Sequence, residues 1–222
     1  MFTKEADFDK EIKKNWAYPV LDGITDLKLY KQAKYRILWI LKEPNKSDDK
    51  KEEWNHRDFH YEGTAGYKRW FVTYKRIHYI SYGLLNDDIS CRYDIDMETA
   101  KINGINSLQQ IAIININKSG GEAFSNQAKI DMHYEEKKEI LHSQIDGINP
   151  EIIINVSRCE PLFNDLSENN KIQKLRNSEL RYCITPERLV IDYYHPGVHS
   201  KGITDEKYCN DMFNAVKKWA NK

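Results

Sequence analysis

Four short apolar runs recur along this chain, and polar or amphipathic stretches separate them. They span residues 35–41, 111–116, 151–156 and 188–194. Short runs that are almost continuously apolar are typical of strands buried on both faces of a sheet. Apolar residues at helical spacing occupy 67–85, the stretch that ends before Asn149-Pro150, and the stretch that follows Thr204.

Strands that alternate with helices predict an α/β fold with a parallel sheet between helical layers. We expect one domain over 1–222, with a helical layer over 1–34 and a last helix over 204–221 capped by Thr204. A short extra strand is expected near 180–184. The polar segment 46–66 reads as a long loop, and loops of that length are usually functional or mobile.

Composition narrows the class of protein. The chain has 222 residues, of which 31% are charged, and its formal net charge is zero. No apolar run approaches the ~18 residues of a membrane helix, and the N-terminus lacks a hydrophobic signal core. We therefore expect a cytoplasmic protein without a membrane partner. Four cysteines at wide spacing match neither a zinc knuckle nor a disulfide framework, so reduced, mostly buried thiols are expected.

Basic residues cluster in one short stretch, at Lys68, Arg69, Lys75 and Arg76. A neutral chain has no global attraction to nucleic acid, although a local basic cluster could contact it. The simpler interpretation is a solvated helix face.

Two residues at strand ends are candidate catalytic groups. Glu43 follows the first apolar run, where a partly desolvated carboxylate can hold and polarise water. His195 follows the fourth run and could donate a hydrogen bond to an oxygen that gains negative charge. The alternatives are a surface glutamate and a histidine that merely ends its strand.

The second apolar run ends in residues suited to reading a base. The amide of Asn115 offers both a donor and an acceptor, Asn117 points the same way by alternation, and Lys118 follows at the strand mouth. Simple polar termination of a strand is the alternative.

Aromatic residues in and after the 46–66 loop could stack on an extruded base; they are Trp54, Phe59, Tyr61 and Trp70. Trp70 fits a core position on its helix better. His56 and His60 have a spacing that could bind metal, but no third ligand is evident, so no metal is expected.

These motifs together resemble the uracil-DNA glycosylase superfamily. Leu41-Lys42-Glu43-Pro44-Asn45 is similar to the family's GQDPY motif, and His195-Pro196-Gly197-Val198-His199 to its HPSPL motif. The stretch 115–118 resembles NVVKCRP of the iron–sulfur branch, and Gln144-Ile145 and 150–154 resemble its QI and PKVIV segments.

The resemblance implies a three-layer fold with a four-stranded parallel sheet in the order 2-1-3-4, flanked by helices. It implies that Glu43 activates water, that His195 faces the base carbonyl and that Asn115 reads the base. The remaining candidate substrate-binding residues are Pro44, Asn45, Phe59, Lys118, Pro196 and Gly197. The cluster cysteines are missing, so no cofactor is expected. The family's shielding tyrosine is Asn45 here, and its intercalating leucine is His199.

Three functions fit the sequence. The leading hypothesis is a DNA glycosylase that releases uracil or another modified base flipped out of DNA. The second is a glycosylase fold that binds a base, nucleotide or protein without cleaving it. The third is a nucleotide or phosphate hydrolase in which Lys118 and Arg158 bind the anion. The sequence leaves the oligomeric state open.

Overall fold

The computed structural model describes residues 5–44, 54–60, 71–86, 101–102, 105–121, 125–168, 170–198 and 202–221. In these ranges the helices are α1 (Glu5–Asn15), α2 (Leu27–Gln32), α3 (Phe71–Leu85), α4 (Gln127–Ile148), α5 (Glu160–Leu166) and α6 (Asp205–Ala220). Two 3-10 helices cover His56–His60 and Ser107–Gln110.

Eleven strands are present in the same ranges. They are β1 (Val20–Leu21), β2 (Gly23–Ile24), β3 (Ile37–Leu41), β4 (Trp54–Asn55), β5 (Lys101–Ile102), β6 (Ile105–Asn106), β7 (Ala112–Asn115), β8 (Ile152–Asn155), β9 (Gln173–Lys174), β10 (Arg181–Ile184) and β11 (Leu189–Asp192). The four apolar runs of the sequence are β3, β7, β8 and β11.

The main sheet is mixed and has seven strands, in the order β2-β7-β3-β8-β11-β10-β9. Its four central strands are parallel and lie in the expected order 2-1-3-4. The expectation of a sheet with only four parallel strands is wrong, because antiparallel strands extend both edges. Two of the added strands are only two residues long, too short for any periodicity in the sequence.

We expected a helical layer over 1–34, but the N-terminal segment also contains two short strands. Between α1 and α2, β1 pairs with β4 and β2 joins the main sheet beside β7. Asp22 lies between these two short strands, where it can bond to residues at the end of β7.

Helices cover both faces of the sheet, which gives the expected three layers. Alternate residues of β3 face opposite sides: Trp39 packs in a core with α3 and α6, whereas Leu38 and Ile40 pack in a core with α4 and α5. All five β3 side chains are buried, so burial on both faces explains its continuous apolar sequence.

The helix ends follow local sequence rules. Thr204 caps α6 through its Oγ1, which accepts a hydrogen bond from the Lys207 backbone N–H at 3.1 Å. Asn149 ends α4 in the left-handed conformation at φ 51°, just before Pro150. Both ends agree with the sequence predictions.

Cys159, Cys183 and Cys209 are reduced and buried, as expected; Cys91 lies outside the described residues. Across the described ranges, no helix is both long enough and apolar enough to cross a membrane.

The central strands should carry much of the stability of the fold. Ile154→Ala removes a fully buried side chain of β8 and should lower the free energy of unfolding by about 2–5 kcal/mol. Ile172→Ala, at a position that is 38% exposed, is the matched control and should cost about 1 kcal/mol or less. Urea denaturation measures both, and equal losses would contradict the packing described here.

Candidate active site

The carboxyl ends of the four parallel strands bring the predicted residues to one edge of the sheet. Leu41 pairs with Asn115, and Asn155 pairs with both Ile40 and Asp192, so the strands end nearly level. Residues after β7, β3, β8 and β11 therefore emerge side by side. Glu43 and His195 follow strands that lie two apart, and two strand spacings amount to about 10 Å.

Glu43 is half-buried and is held by neighbours from the β7 side. Its Oε2 accepts a hydrogen bond from Asn117 Nδ2 at 3.3 Å. Asn117 is itself oriented, because its Oδ1 accepts from the Ser119 backbone N–H at 3.0 Å. A Cβ at Gly121 would collide with the Glu43 carboxyl group, so a larger residue there would displace the Glu43 side chain. The Gly121 N–H also bonds to the Pro44 carbonyl at 2.9 Å.

His195 lies in a tight turn that determines its tautomer. The Val198 N–H bonds to the His195 carbonyl at 3.0 Å, and the Gly197 N–H donates to His195 Nδ1 at 3.1 Å. A nitrogen that accepts from a backbone N–H carries no proton, so the neutral ring is protonated at Nε2. Burial, with a smaller effect from the Lys42 ammonium, lowers the pKa of His195 to about 4. The imidazole is therefore a neutral Nε2 donor at pH 7.

Gly197 lies in the same turn as His195, and the structure gives a steric reason that favours glycine there. A Cβ there would lie 3.2 Å from Thr73 Oγ1 and 3.3 Å from His195 Nδ1. A side chain would therefore require Thr73 or the His195 ring to shift by a few tenths of an ångström. Pro196 is buried in the same turn.

Arg76 anchors the His195 turn from α3. Its Nη1 donates to the carbonyls of Pro196 at 3.0 Å and Val198 at 2.8 Å, and its Nε donates to Asp205 at 2.7 Å. The guanidinium also lies 4.7 Å from the centre of the Tyr208 ring. The interpretation of this basic cluster as a solvated face is wrong for Arg76, whose side chain is only 3% exposed. Lys68 and Arg69 lie outside the described residues.

Asn115 and Lys118 lie in the interior, on a buried network around Asp22. Lys118 Nζ is 2.7 Å from Asp22 Oδ1, and both side chains are almost fully buried. Asp22 also accepts from the Asn115 backbone N–H at 2.7 Å, from Asn115 Nδ2 at 3.4 Å and from Gln144 Nε2 at 3.1 Å. Burial lowers the pKa of Lys118, and Asp22 opposes this shift. Lys118 therefore lies in the buried interior and not at the strand mouth, where we had expected it.

His56 is buried near the same network. Its Nε2 is hydrogen-bonded to the Tyr74 hydroxyl on α3. Burial lowers the pKa of His56 to about 4, with Asp22 acting in the opposite direction. His56, one of the two histidines considered as metal ligands, therefore uses its Nε2 in a hydrogen bond with Tyr74.

Two cations follow the strands on the β8 side of the His195 turn. Lys42 follows β3 and Arg158 follows β8, and both are half-buried. The Arg158 guanidinium lies 4.8 Å from the centre of the Tyr194 ring. Sequence reasoning gave Lys42 and Gly121 no defined role. It grouped Asn117 with the base-reading residues and Arg76 with a basic cluster, because only the fold shows what each one contacts.

Some predicted residues cannot be placed. Asn45 and residues 61–70 lie outside the described residues, as does the side chain of Phe59. The functional role expected for the 46–66 segment therefore stays a prediction.

No protein-family model matches this chain, and no curated protein shows a significant match to it. A functional assignment must therefore be built on the geometry of the site.

The Arg76 anchor can be tested against its neighbour on α3. Arg76→Met leaves the Pro196 and Val198 carbonyls without this donor and should cost about 3 kcal/mol or more of unfolding free energy. Lys75→Met is the matched control: it also pairs with Asp205, but at 3.4 Å and 29% exposed, so it should cost less than about 1 kcal/mol. Denaturant titration measures both variants. If they lower the free energy of unfolding by similar amounts, Arg76 does not anchor the turn.

His56 should make stability depend on pH. Its folded pKa of about 4 is below the unfolded value of about 6.5, so its stabilising effect is complete above pH 6.5 and is lost as the pH falls through 4. The loss should reach roughly 3 kcal/mol. His56→Phe should be less stable than the parent at pH 7 but should lose less on acidification to pH 4. Parallel stability curves for the two proteins would contradict this.

Proposed function

We propose that this chain hydrolyses the N-glycosidic bond of a modified base in DNA, with uracil as the first candidate. In this proposal its α/β domain is a divergent uracil-DNA glycosylase fold. The observation that carries the proposal is the neutral, Nε2-protonated His195, positioned across β8 from the half-buried Glu43. The two groups have the complementary properties that cleavage of a glycosidic bond requires.

Glu43 would act on the sugar side. Its carboxylate would orient a water molecule toward C1′ and stabilise the positive charge that develops there as the C–N bond breaks. The hydrogen bond from Asn117 and the close packing of Gly121 support this role, because they fix the carboxylate before the substrate arrives.

His195 would act on the base side. As the bond breaks, the electron pair moves into the base, and Nε2–H would donate to the carbonyl oxygen that becomes negative. A neutral donor suits this task. The low pKa of the imidazolium keeps the ring neutral at pH 7, and the N–H of a neutral imidazole is a very weak acid, so it stabilises the anion without giving up its proton. Arg76 would keep the turn, and therefore the imidazole, in position.

Asn115 would select the base. Its Nδ2 is directed at Asp22, while its buried Oδ1 has no hydrogen-bond partner in the described part of the chain. A free acceptor fits a base that offers an N–H, as uracil does. Reaching Oδ1 would require the substrate to enter below the strand mouth.

The central strand order 2-1-3-4 agrees with the order implied by the resemblance, which is further support. A second candidate is a nucleotide or phosphate hydrolase, and the half-buried cations Lys42 and Arg158 favour it. Lys118, the other anion binder considered, is already paired with Asp22.

The test is release of free base from labelled oligonucleotides that carry uracil, hypoxanthine, xanthine or a bulky modified pyrimidine. Glu43→Gln and His195→Ala should each lower turnover about a hundred- to a thousandfold, because each removes a group that acts mainly in the transition state. Binding of the oligonucleotide should change far less.

Glu187→Gln, which changes an exposed glutamate just before β11, at the opposite end of that strand from His195, is the control and should retain parental turnover. If the parent releases a base and both site variants stay within a few-fold of it, the chemistry lies elsewhere. Tight binding without release of any base would favour the non-cleaving module.

A further inference from the structure

Lys42 and Arg158 follow neighbouring parallel strands, so their positions are fixed by the sheet. β3 and β8 are hydrogen-bonded partners, and the Val156 N–H bonds to the Ile40 carbonyl at 2.9 Å at the end of the ladder. Lys42 is two residues past Ile40, and Arg158 is two residues past Val156. The two side chains therefore leave adjacent strands at the same edge, beside the His195 turn.

Neither cation has a hydrogen-bonded or ion-paired partner in the described ranges, although both are half-buried. The carboxylates around them are engaged elsewhere: Glu43 with Asn117, Asp131 with Gln127, and Glu160 and Asp192 with Arg181. Partial burial of a charge without a partner is unfavourable, and the cost is greater for two like charges. Such a pair is stabilised when an anion binds between its members.

Arg158 is also pre-organised. Its backbone is left-handed at φ 60°, an unfavourable conformation for a residue other than glycine. Its guanidinium lies over the Tyr194 ring, and the Tyr194 carbonyl accepts a hydrogen bond from the Tyr208 hydroxyl at 2.5 Å. The Tyr194 backbone is thus tied to α6, and the guanidinium that lies over its ring can present N–H groups to a ligand with little loss of freedom.

Electrostatics support the same arrangement. Burial lowers the pKa of Lys42; Glu43 opposes this effect, and the nearby Arg158 adds to it. Lys42 in turn contributes to the low pKa of His195. Lys42 therefore interacts with both Arg158 and the neutral His195, and an anion between the two cations would relieve their repulsion.

We propose that Lys42 and Arg158 form a phosphate subsite next to His195. A planar guanidinium and a mobile ammonium together match the oxygen atoms of a phosphate group. The inference deepens the proposed function. It rests on that function only for the view that the phosphate belongs to a nucleotide. Phosphate binding itself needs no turnover, so it can fail or succeed independently of base release.

The probe is inorganic phosphate, titrated into the full chain at pH 7 and followed by calorimetry and by NMR shifts of backbone amides. The parent should bind phosphate saturably, with shifts centred on Lys42, Arg158 and Tyr194. Lys42→Met and Arg158→Gln should each weaken binding about tenfold, because each removes one charge-assisted contact. Lys42→Arg keeps the charge and should stay within about threefold of the parent.

Lys218→Met and Arg176→Gln change exposed cations elsewhere and are the matched controls; both should bind like the parent. Absence of saturable binding to the parent would overturn the subsite, as would shifts centred elsewhere or equal binding by Lys42→Met and Arg158→Gln. The shift map needs no variant, so the test holds even if one of them fails to fold.

Two further titrations identify the source of the phosphate. A deoxynucleoside 5′-monophosphate that binds as tightly as a short oligonucleotide would assign the subsite to free nucleotides. An oligonucleotide that binds at least tenfold more tightly, with a salt slope that falls by about 1 in Lys42→Met, would assign it to a nucleic-acid backbone.

Discussion

The parallel register of the four central strands determines where every candidate catalytic side chain lies. Leu41 is level with Asn115, and Asn155 is level with Ile40 and Asp192, so the four loops that follow leave the sheet together. A slip of one residue in any strand would turn its side chains to the opposite face and separate these loops. Continuous apolar contact on both faces of β3 and β8 opposes such a slip, and the stability of the core thereby fixes the geometry of the site.

Two buried charged residues, Asp22 and Arg76, then hold the loops in place on the sheet, each through several hydrogen bonds. Asp22 joins the N-terminal segment to β7 and α4 through Lys118, Asn115 and Gln144, while Arg76 ties α3 and α6 to the His195 turn. A buried charge is costly unless it is fully paired, so these contacts specify one arrangement of the loops. Lys42 and Arg158 differ from these residues. They are partly buried at the carboxyl edge of the sheet and have no such partners in the described chain, so an anionic ligand would stabilise them.

The sequence predicted the parts of the fold that leave a periodic or continuous pattern. The four central strands, the Thr204 cap and the end of α4 at Asn149 could be found in this way, and so could the location of Glu43 and His195 at strand ends. The two-residue strands β1, β2 and β9 could not, because two residues carry no period. Arg76 looked like a surface residue because burial of an arginine depends on distant carbonyls that sequence does not reveal. Lys118 looked like a residue of the strand mouth for the same reason, since its partner Asp22 is far away in the chain.

The central claim of this account is that His195 is a neutral donor protonated at Nε2, and ¹⁵N NMR of the imidazole measures this directly. The two ring nitrogens have different shifts according to which one carries the proton. The account requires an unprotonated Nδ1 and a protonated Nε2 at pH 7, and ionisation of the ring only near pH 4. A ring protonated at Nδ1, or one that ionises near its ordinary pKa of about 6.5, would contradict the account.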